Sequence, residues 1–128
     1  MSYVTEFTSF AVIPGKESRA DEWLGILQAR RSECVATLDR EHMHFESIFR
    51  HEANGRLYLS WLSVQGPVGE HVASSGFEID KTHMAFWDEC IDKTVPPLEY
   101  RHVVDFVPQE VAQAIAARER RLQGGGTG

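Results

Sequence analysis

The sequence predicts an α+β domain with the element order β-α-β-β-α-β and one further helix at its C-terminus. Three observations carry this prediction. Apolar side chains recur with strand spacing in four stretches, stripes with helical spacing lie between them, and an Asn-Gly pair separates the second and third strand stretches. This order is that of the split βαβ arrangement, in which four antiparallel strands carry two helices on one face.

The first strand is predicted over residues 3–13, YVTEFTSFAVI, which is apolar on both alternating faces. Such a strand is typically central in its sheet and covered on both sides. The Pro-Gly pair at 14–15 ends it. A capping box at 18–21, with Asp as its fourth residue, then begins a helix. Its apolar stripe continues to Leu38, interrupted at mid-length by two arginines at 30–31.

The second strand is predicted in REHMHFESIFRHE, residues 40–52, where apolar and polar side chains alternate. Residues 53–55, Ala-Asn-Gly, form the expected hairpin turn, because Asn-Gly accepts the positive φ angles that such turns require. The third strand, RLYLSWLSV, returns over 56–64. The glycine-bearing loop over 65–78 is long for a small domain, and loops of this length are often functional lids.

The second half of the chain supplies the last three elements. Asp80 is interpreted as the N-cap of a helix that runs to about Lys93. LEYRHVVDFV, residues 98–107, is the predicted fourth strand, and a helix with proline at its start follows it. We expect a single domain over 1–122 and a flexible glycine-rich tail over 123–128.

Composition argues against several functional classes. The formal net charge is -6, and the one basic cluster, at 118–121, is interpreted as a solvated helix face, so no nucleic-acid partner is expected. We find no signal peptide and no apolar stretch of membrane-spanning length, so no membrane partner is expected. Cys34 and Cys90 lie in predicted helices, which fits buried thiols in a reducing compartment. The sequence therefore predicts a cytoplasmic protein.

Four motifs that together span nearly the whole chain resemble the dimeric α+β barrel superfamily, which has a ferredoxin-like fold. They are FAVIPGKESRADEW, EHMHFESIFRH, LYLSW and IDKTHMAFW. The superfamily includes antibiotic-biosynthesis monooxygenases, small polyketide cyclases and haem-degrading monooxygenases, and the likeness is nearest to a small, functionally uncharacterised bacterial family within it. The resemblance implies a homodimer with two sheets face to face, and a pocket between each sheet and its helices. Asn54, the only asparagine, lies in the hairpin turn, which disfavours the asparagine-dependent monooxygenase chemistry of that group.

His83 is the leading candidate for acid–base chemistry. We expect it in the first turn of the second helix, near Trp87, where the helix dipole keeps an imidazole neutral and able to take a proton from an enolisable substrate. Glu46 is its expected partner, since a carboxylate on a largely apolar strand has a raised pKa, and Glu41 is the second choice. His44, on the same strand, completes the predicted catalytic set. A capping role for His83, or haem ligation as in the haem-degrading relatives, stays open.

Aromatic side chains supply enough area to line a flat apolar pocket, or a core. The predicted substrate-binding residues are Trp23, Tyr58, Trp61, Phe86 and Trp87, with Ser75 from the loop and His102 from the fourth strand. A divalent metal is a further hypothesis. Its ligands would be His42, His44 and Glu46 on one strand face together with His102, and the alternative is a hydrogen-bonded polar surface.

These observations lead to one expected function and two alternatives. The expected function is a homodimeric, cofactor-independent enzyme of secondary or catabolic metabolism, which uses proton transfer to cyclise, isomerise or dehydrate an aromatic or polyketide-like substrate. No glycine motif that cradles phosphate is present, so no nucleotide cofactor is expected. The first alternative is a monooxygenase, either cofactor-free or haem-linked. The second is a dimer that binds a small apolar ligand without turnover.

Overall fold

The computed structural model describes residues 3–67 and 76–124, which form a mixed α+β fold. Within these ranges the order is β1 (Val4–Ala11), α1 (Glu17–Ala29), α2 (Arg31–Thr37), β2 (Met43–Ala53), β3 (Arg56–Gln65), α3 (Glu78–Cys90), β4 (Leu98–Tyr100) and α4 (Gln109–Gly124). The strands form one antiparallel sheet in the order β2-β3-β1-β4, which is consistent with the predicted ferredoxin-like fold.

One face of the sheet carries the helices and the core. Leu57 and Leu59 of β3 pack there against Trp23 of α1 and Phe86 of α3, and all four are buried. The opposite face bears large apolar side chains that remain about half exposed: Phe45, Phe49, Leu98 and Tyr100. We call this the open face of the sheet. Helices therefore cover one apolar face of the sheet, whereas the other apolar face remains partly exposed to solvent.

The predicted hairpin between β2 and β3 is confirmed. Asn54 has a φ of 53° and Gly55 a φ of 72°, the left-handed values that an Asn-Gly turn supplies at low cost. Pairing runs without interruption from the turn to Phe45 opposite Val64, and then shifts, so that His44 is an extra residue in β2. Such a β-bulge bends the strand and redirects its side chain.

Helix boundaries differ from the prediction. The first helix, α1, begins at Glu17 with Lys16 as its N-cap residue, so the capping box predicted at 18–21 is wrong. The first predicted helix is divided at Arg30, whose φ of -108° and ψ of 36° leave the helical region, so α2 is a separate helix. The second begins at Glu78 with Phe77 as its N-cap residue, and the assignment of Asp80 as the N-cap is therefore wrong. Asp80 lies inside the first turn of α3 and is buried. An aspartate near a helix start fits either position, because both benefit from the helix dipole.

The fourth strand is much shorter than predicted. After Tyr100 the chain leaves the sheet, and the alternating side chains of 101–107 point largely into solvent, with Phe106 92% exposed. A period of two shows that a segment tolerates an extended backbone, but a strand also needs a neighbour to bond. At the other end, α4 extends to Gly124, two residues into the predicted tail.

Part of the predicted loop, with the lid hypothesis, lies outside the described residues. Within them, no helix combines the length and the apolar character needed to cross a membrane.

Candidate functional site

A cavity of about 1250 Å³ lies between the sheet and helices α1 to α3. Glu46 and Trp61 line it from the sheet. Asp80, His83 and Trp87 line it from α3, where their spacing of three and four residues places them on one side of the helix. The cavity therefore brings together four predicted site residues, Glu46, Trp61, His83 and Trp87, with an aspartate that the sequence analysis had assigned to a cap.

His83 is fixed in one tautomer by Trp23. The two side chains meet at 3.1 Å between the indole Nε1 and the imidazole Nδ1. Because an indole N–H only donates, Nδ1 must accept, and the proton of the neutral ring is on Nε2. Burial lowers the pKa of His83, while the charge of Asp80 acts in the opposite direction. The residue lies one turn further from the helix start than predicted, so burial rather than the dipole keeps the ring neutral.

Two carboxyl groups of the cavity hold their protons more tightly than usual. Burial, followed by the charges of Glu46 and Asp80, raises the pKa of Glu41 to about 7. The pKa of Glu46 is raised by burial and then by Asp80. Glu46 is exposed, but it lines a cavity whose protein walls replace much of the bulk water. Proton exchange at these groups therefore occurs closer to neutral pH than at an ordinary glutamate.

His44 lies outside the cavity, at the bulge of β2, and joins this strand to α4. Its Nε2 is 3.0 Å from Oε1 of Glu119, and its Nδ1 is 2.6 Å from Nη1 of Arg118. Since a guanidinium only donates, His44 accepts at Nδ1 and donates from Nε2. His42 bonds the other carboxylate oxygen of Glu119 at 2.8 Å. Both nitrogens of the predicted catalytic His44 are thus engaged in attaching α4.

Glu119 is the centre of this attachment and is only 2% exposed. Burial acts to raise its pKa, but hydrogen bonds from His42, Gln123 and His44 lower it overall. Gly66 passes so close that a β-carbon there would lie 2.1 Å from Glu119 Oε1. The sequence analysis did not identify Glu119, because a single glutamate among arginines on a helix is typical of a solvent-exposed helix face. The histidines at 42 and 44 were the available signal, since both are candidates for a buried carboxylate partner.

The structure divides the four predicted metal ligands among three places. Glu46 is in the cavity and His42 and His44 bond Glu119, whereas His102 follows β4 and lies 2.8 Å from Asp105. Among the described residues, no three His, Cys, Asp or Glu side chains are grouped so that they could hold a metal ion.

The remaining predicted substrate-binding residues have varied positions. Trp23 is fully buried behind His83, and Phe86 is a core residue that stacks on Trp23. Tyr58 stacks on His51, with the ring centroids 5.2 Å apart, and is not among the residues that line the cavity. Ser75 lies outside the described residues. Aromatic composition alone could not tell which rings face the cavity, since core and lining rings occur on the same strand and helices.

Comparison with known proteins gives a family and nothing more specific. No curated protein and no solved structure matches the chain. Residues 3–112 match DUF6176, a family of unknown function. The match extends from β1 into the first turn of α4 and includes every cavity residue named above. The chain therefore belongs to the DUF6176 family.

Proposed function

We propose that this protein is a cofactor-independent acid–base enzyme of the isomerase, cyclase or dehydratase type. Its substrate would carry a C–H bond next to a carbonyl group and would bind in the cavity between sheet and helices. The observation that carries the proposal is the state of His83. Burial keeps its ring neutral and Trp23 places the ring proton on Nε2, in the same cavity as carboxyl groups of raised pKa.

The roles follow from which group can donate and which can accept. The carboxylate of Glu46 removes the proton from the carbon next to the carbonyl, and its raised pKa makes it a stronger base than an ordinary glutamate. The Nε2–H of His83 donates a hydrogen bond to the carbonyl oxygen, where negative charge develops in the enolate. Glu41, with a pKa of about 7, is the group best suited to return a proton elsewhere on the substrate. His83 thus acts as the hydrogen-bond donor rather than as the base.

Aromatic side chains favour a substrate with a flat apolar part. The rings of Trp61 and Trp87 lie 5.4 Å apart in the cavity wall, and Phe10 is 4.6 Å from Trp87. Such a wall binds aromatic or polyketide-like molecules through area and shape, and the polar groups orient them. This supports the substrate class that the sequence analysis expected.

We also propose that the protein is a homodimer that pairs the open faces of two sheets. The half-exposed side chains of that face, Phe45, Phe49, Leu98 and Tyr100, are too many and too large for an ordinary water-facing sheet surface. The segment after β4 adds Val103 and Phe106, which are 84% and 92% exposed. The resemblance to dimeric α+β barrels supports the same arrangement.

The proposed chemistry is tested by proton exchange rather than by guessing the product. A panel of aromatic ketones and 1,3-diketones, some of which bear an ammonium group, is incubated with the protein in D₂O, and loss of the α-proton signal is followed by NMR. We expect exchange well above the buffer rate for at least one compound. Glu46→Gln and His83→Ala should each reduce it by roughly 10²- to 10⁴-fold.

The matched control is Glu52→Gln, since Glu52 is on the same strand but is exposed and not in the cavity wall. It should exchange as the wild type does. Exchange at the buffer rate for the whole panel, or undiminished exchange in folded Glu46→Gln and His83→Ala, would overturn the proposal. Ligand binding without exchange would instead favour a non-catalytic binding protein.

A further inference from the structure

Asp80 carries a carboxylate oxygen without a partner. The residue is 7% exposed and lines the cavity from the first turn of α3, and its Oδ2 has no hydrogen-bond partner in the described part of the chain. A buried acceptor left unpaired is destabilising, and more so when it is charged. A positively charged donor that entered the cavity would remove this destabilisation.

The other charges of the cavity point to the same kind of ligand. Four carboxyl residues are in its described lining, Glu6, Glu41, Glu46 and Asp80, against two guanidinium residues, Arg31 and Arg50. Arg50 is already bonded to Asp21 through two contacts, at 2.7 and 3.2 Å. Glu41, with a pKa of about 7, is partly protonated at neutral pH, but the lining still has more acidic than basic side chains, and a wall of low dielectric concentrates their field on a ligand.

The aromatic wall adds a second attraction for a cation. Trp61, Trp87 and Phe10 are in mutual contact, with ring centroids 4.6 to 5.8 Å apart, and all three line the cavity. Aromatic faces attract an ammonium group, and the indole face attracts it most strongly. Carboxylates beside such a wall form a site that a primary ammonium, which carries N–H donors, satisfies better than a neutral molecule does.

We infer that the cavity takes a ligand with an organic cationic group, an ammonium or amidinium, attached to an apolar or aromatic body. Asp80 and Glu46 face the cation, and the tryptophans hold the apolar body. A divalent metal ion fits less well, since no three carboxyl or histidine side chains among the described residues are grouped to hold one. The inference rests on the cavity being the substrate site of the proposed enzyme and narrows the substrate class.

The test uses two molecules of the same shape and different charge. Benzylammonium is charged at neutral pH and can donate hydrogen bonds from its N–H groups, and ethylbenzene replaces its nitrogen by carbon. Each is titrated into the full chain, with tryptophan fluorescence and calorimetry as readouts, and benzoate and Mg²⁺ alone serve as further ligands. We expect the cation to bind at least ten-fold more tightly than its neutral isostere, and benzoate to bind more weakly than either.

Asp80→Asn should remove most of this preference, and Glu46→Gln should reduce it. Asp88→Asn is the matched control, because Asp88 is on the same helix but is exposed and paired with Lys93 at 2.9 Å. It should leave the preference unchanged. Thermal melts of each variant confirm that it is folded, and Glu46→Gln keeps the test decisive if Asp80→Asn does not fold.

Equal affinity for the cation and its isostere would overturn the inference. So would a preference that survives in both folded variants, or Asp80-dependent binding of Mg²⁺ alone. A failure of the proposed acid–base function would give a different pair of results. Tight cation binding without any ketone exchange would leave the ligand class standing and overturn the chemistry, whereas exchange without charge preference would do the reverse.

Discussion

The indole Nε1 of Trp23 donates a hydrogen bond to Nδ1 of His83 over 3.1 Å, and this contact decides which ring nitrogen carries the imidazole proton. Trp23 is fully buried, so its N–H has no water to bond instead. The core residue Trp23 thus determines which ring N–H group of His83 is available as a donor. Catalytic histidines depend on such contacts, because the partner of one nitrogen fixes the state of the other.

Trp23→Phe tests this relationship directly. Loss of the indole N–H leaves Nδ1 of His83 free to bind a proton, so we expect a mixture of tautomers and a higher pKa for His83. NMR of ¹⁵N-histidine-labelled protein measures both quantities. The matched control is Trp61→Phe, since Trp61 lies 6.2 Å from His83 between ring centroids and makes edge contact only. A wild-type His83 with its proton on Nδ1 would contradict the assignment.

Glu41→Gln should change how stability depends on pH. Glu41 has a pKa of about 7 in the folded chain, against 4.5 as its ordinary value. Between these values the folded state holds the additional proton, so the stability of the wild type falls as pH rises through this interval. We expect Glu41→Gln to gain about 1 kcal/mol relative to the wild type from pH 5 to pH 8, a value reduced for partial contact with water.

Denaturant unfolding at the two pH values measures this gain. Glu52→Gln provides the control, because the Glu52 side chain is 67% exposed. A Glu41→Gln difference that is flat with pH would show that Glu41 titrates as an ordinary carboxyl.

Gly66→Ala should destabilise the attachment of α4. The new β-carbon would lie 2.1 Å from Oε1 and 2.5 Å from Cδ of Glu119, and the carboxylate is held by two histidines, so it cannot move without breaking those bonds. We expect a loss of about 2 kcal/mol in the free energy of unfolding. Gly76→Ala is the control, since a β-carbon there meets no atom within 4 Å.

A double variant with Glu119→Ala locates the cause of this loss. If the clash is with Glu119, the cost of Gly66→Ala should largely vanish in that background. An unchanged cost would place the strain elsewhere.

Acid should release α4 before the rest of the fold. Burial, and then the charge of Arg118, lower the pKa of His44. The detached state therefore binds a proton that the attached state does not, and the attachment weakens as pH falls below the ordinary value of 6.5. A proton on Nδ1 of His44 would also displace Arg118, which donates to that atom. His42, Asp39 and Glu119 are the other charged or titratable groups of this network.

Amide hydrogen exchange at pH 7.5 and 5.5, corrected for the intrinsic rates, measures this effect. We expect a several-fold loss of protection in α4 at the lower pH, up to about ten-fold for one histidine, with α1 and α3 as internal references. Equal losses in all three helices would indicate global rather than local opening.

Phe49→Glu should prevent the proposed dimer. A charge in the middle of the open face would be buried without a partner when two sheets meet. Sedimentation equilibrium should give a dimer for the wild type and a folded monomer for the variant. Val35→Glu is the control on the helical side of the molecule, where Val35 is 58% exposed. A monomeric wild type would exclude the dimer.

The strands and the hairpin were predictable because their signals are local. Alternation and the Asn54-Gly55 pair fixed β2, β3 and the turn to within a few residues. The length of β4 was not predictable, because a strand ends where its adjacent strand no longer bonds it, and alternation of side chains carries no information about that adjacent strand. The position of Asp80 was not predictable either, because an aspartate just before an apolar helical stripe is compatible with both an N-cap and a buried first-turn position.

The candidate site was predictable as a set of residue types, but not as an arrangement. Glu46, His83, Trp61 and Trp87 share the cavity, whereas His44 and His102 do not line it. The strand period of two predicts that His44 and Glu46 lie on the same face of β2. The bulge in β2 breaks this alternation, so the prediction fails for His44. Which nitrogen of His83 accepts depends on a tryptophan sixty residues away in sequence, a pairing that no spacing rule contains.

The contacts of Glu119 also bear on the order in which the chain folds. They join residues 75 and 77 positions apart, to His44 and His42, whereas the β2–β3 hairpin closes over a two-residue turn. Closing so long a loop is entropically the slower event, so we expect α4 to attach after the sheet has formed. During synthesis, β2 and Gly66 are complete long before Glu119 is added. Substitutions at Glu119 should accordingly speed unfolding and leave the folding rate almost unchanged.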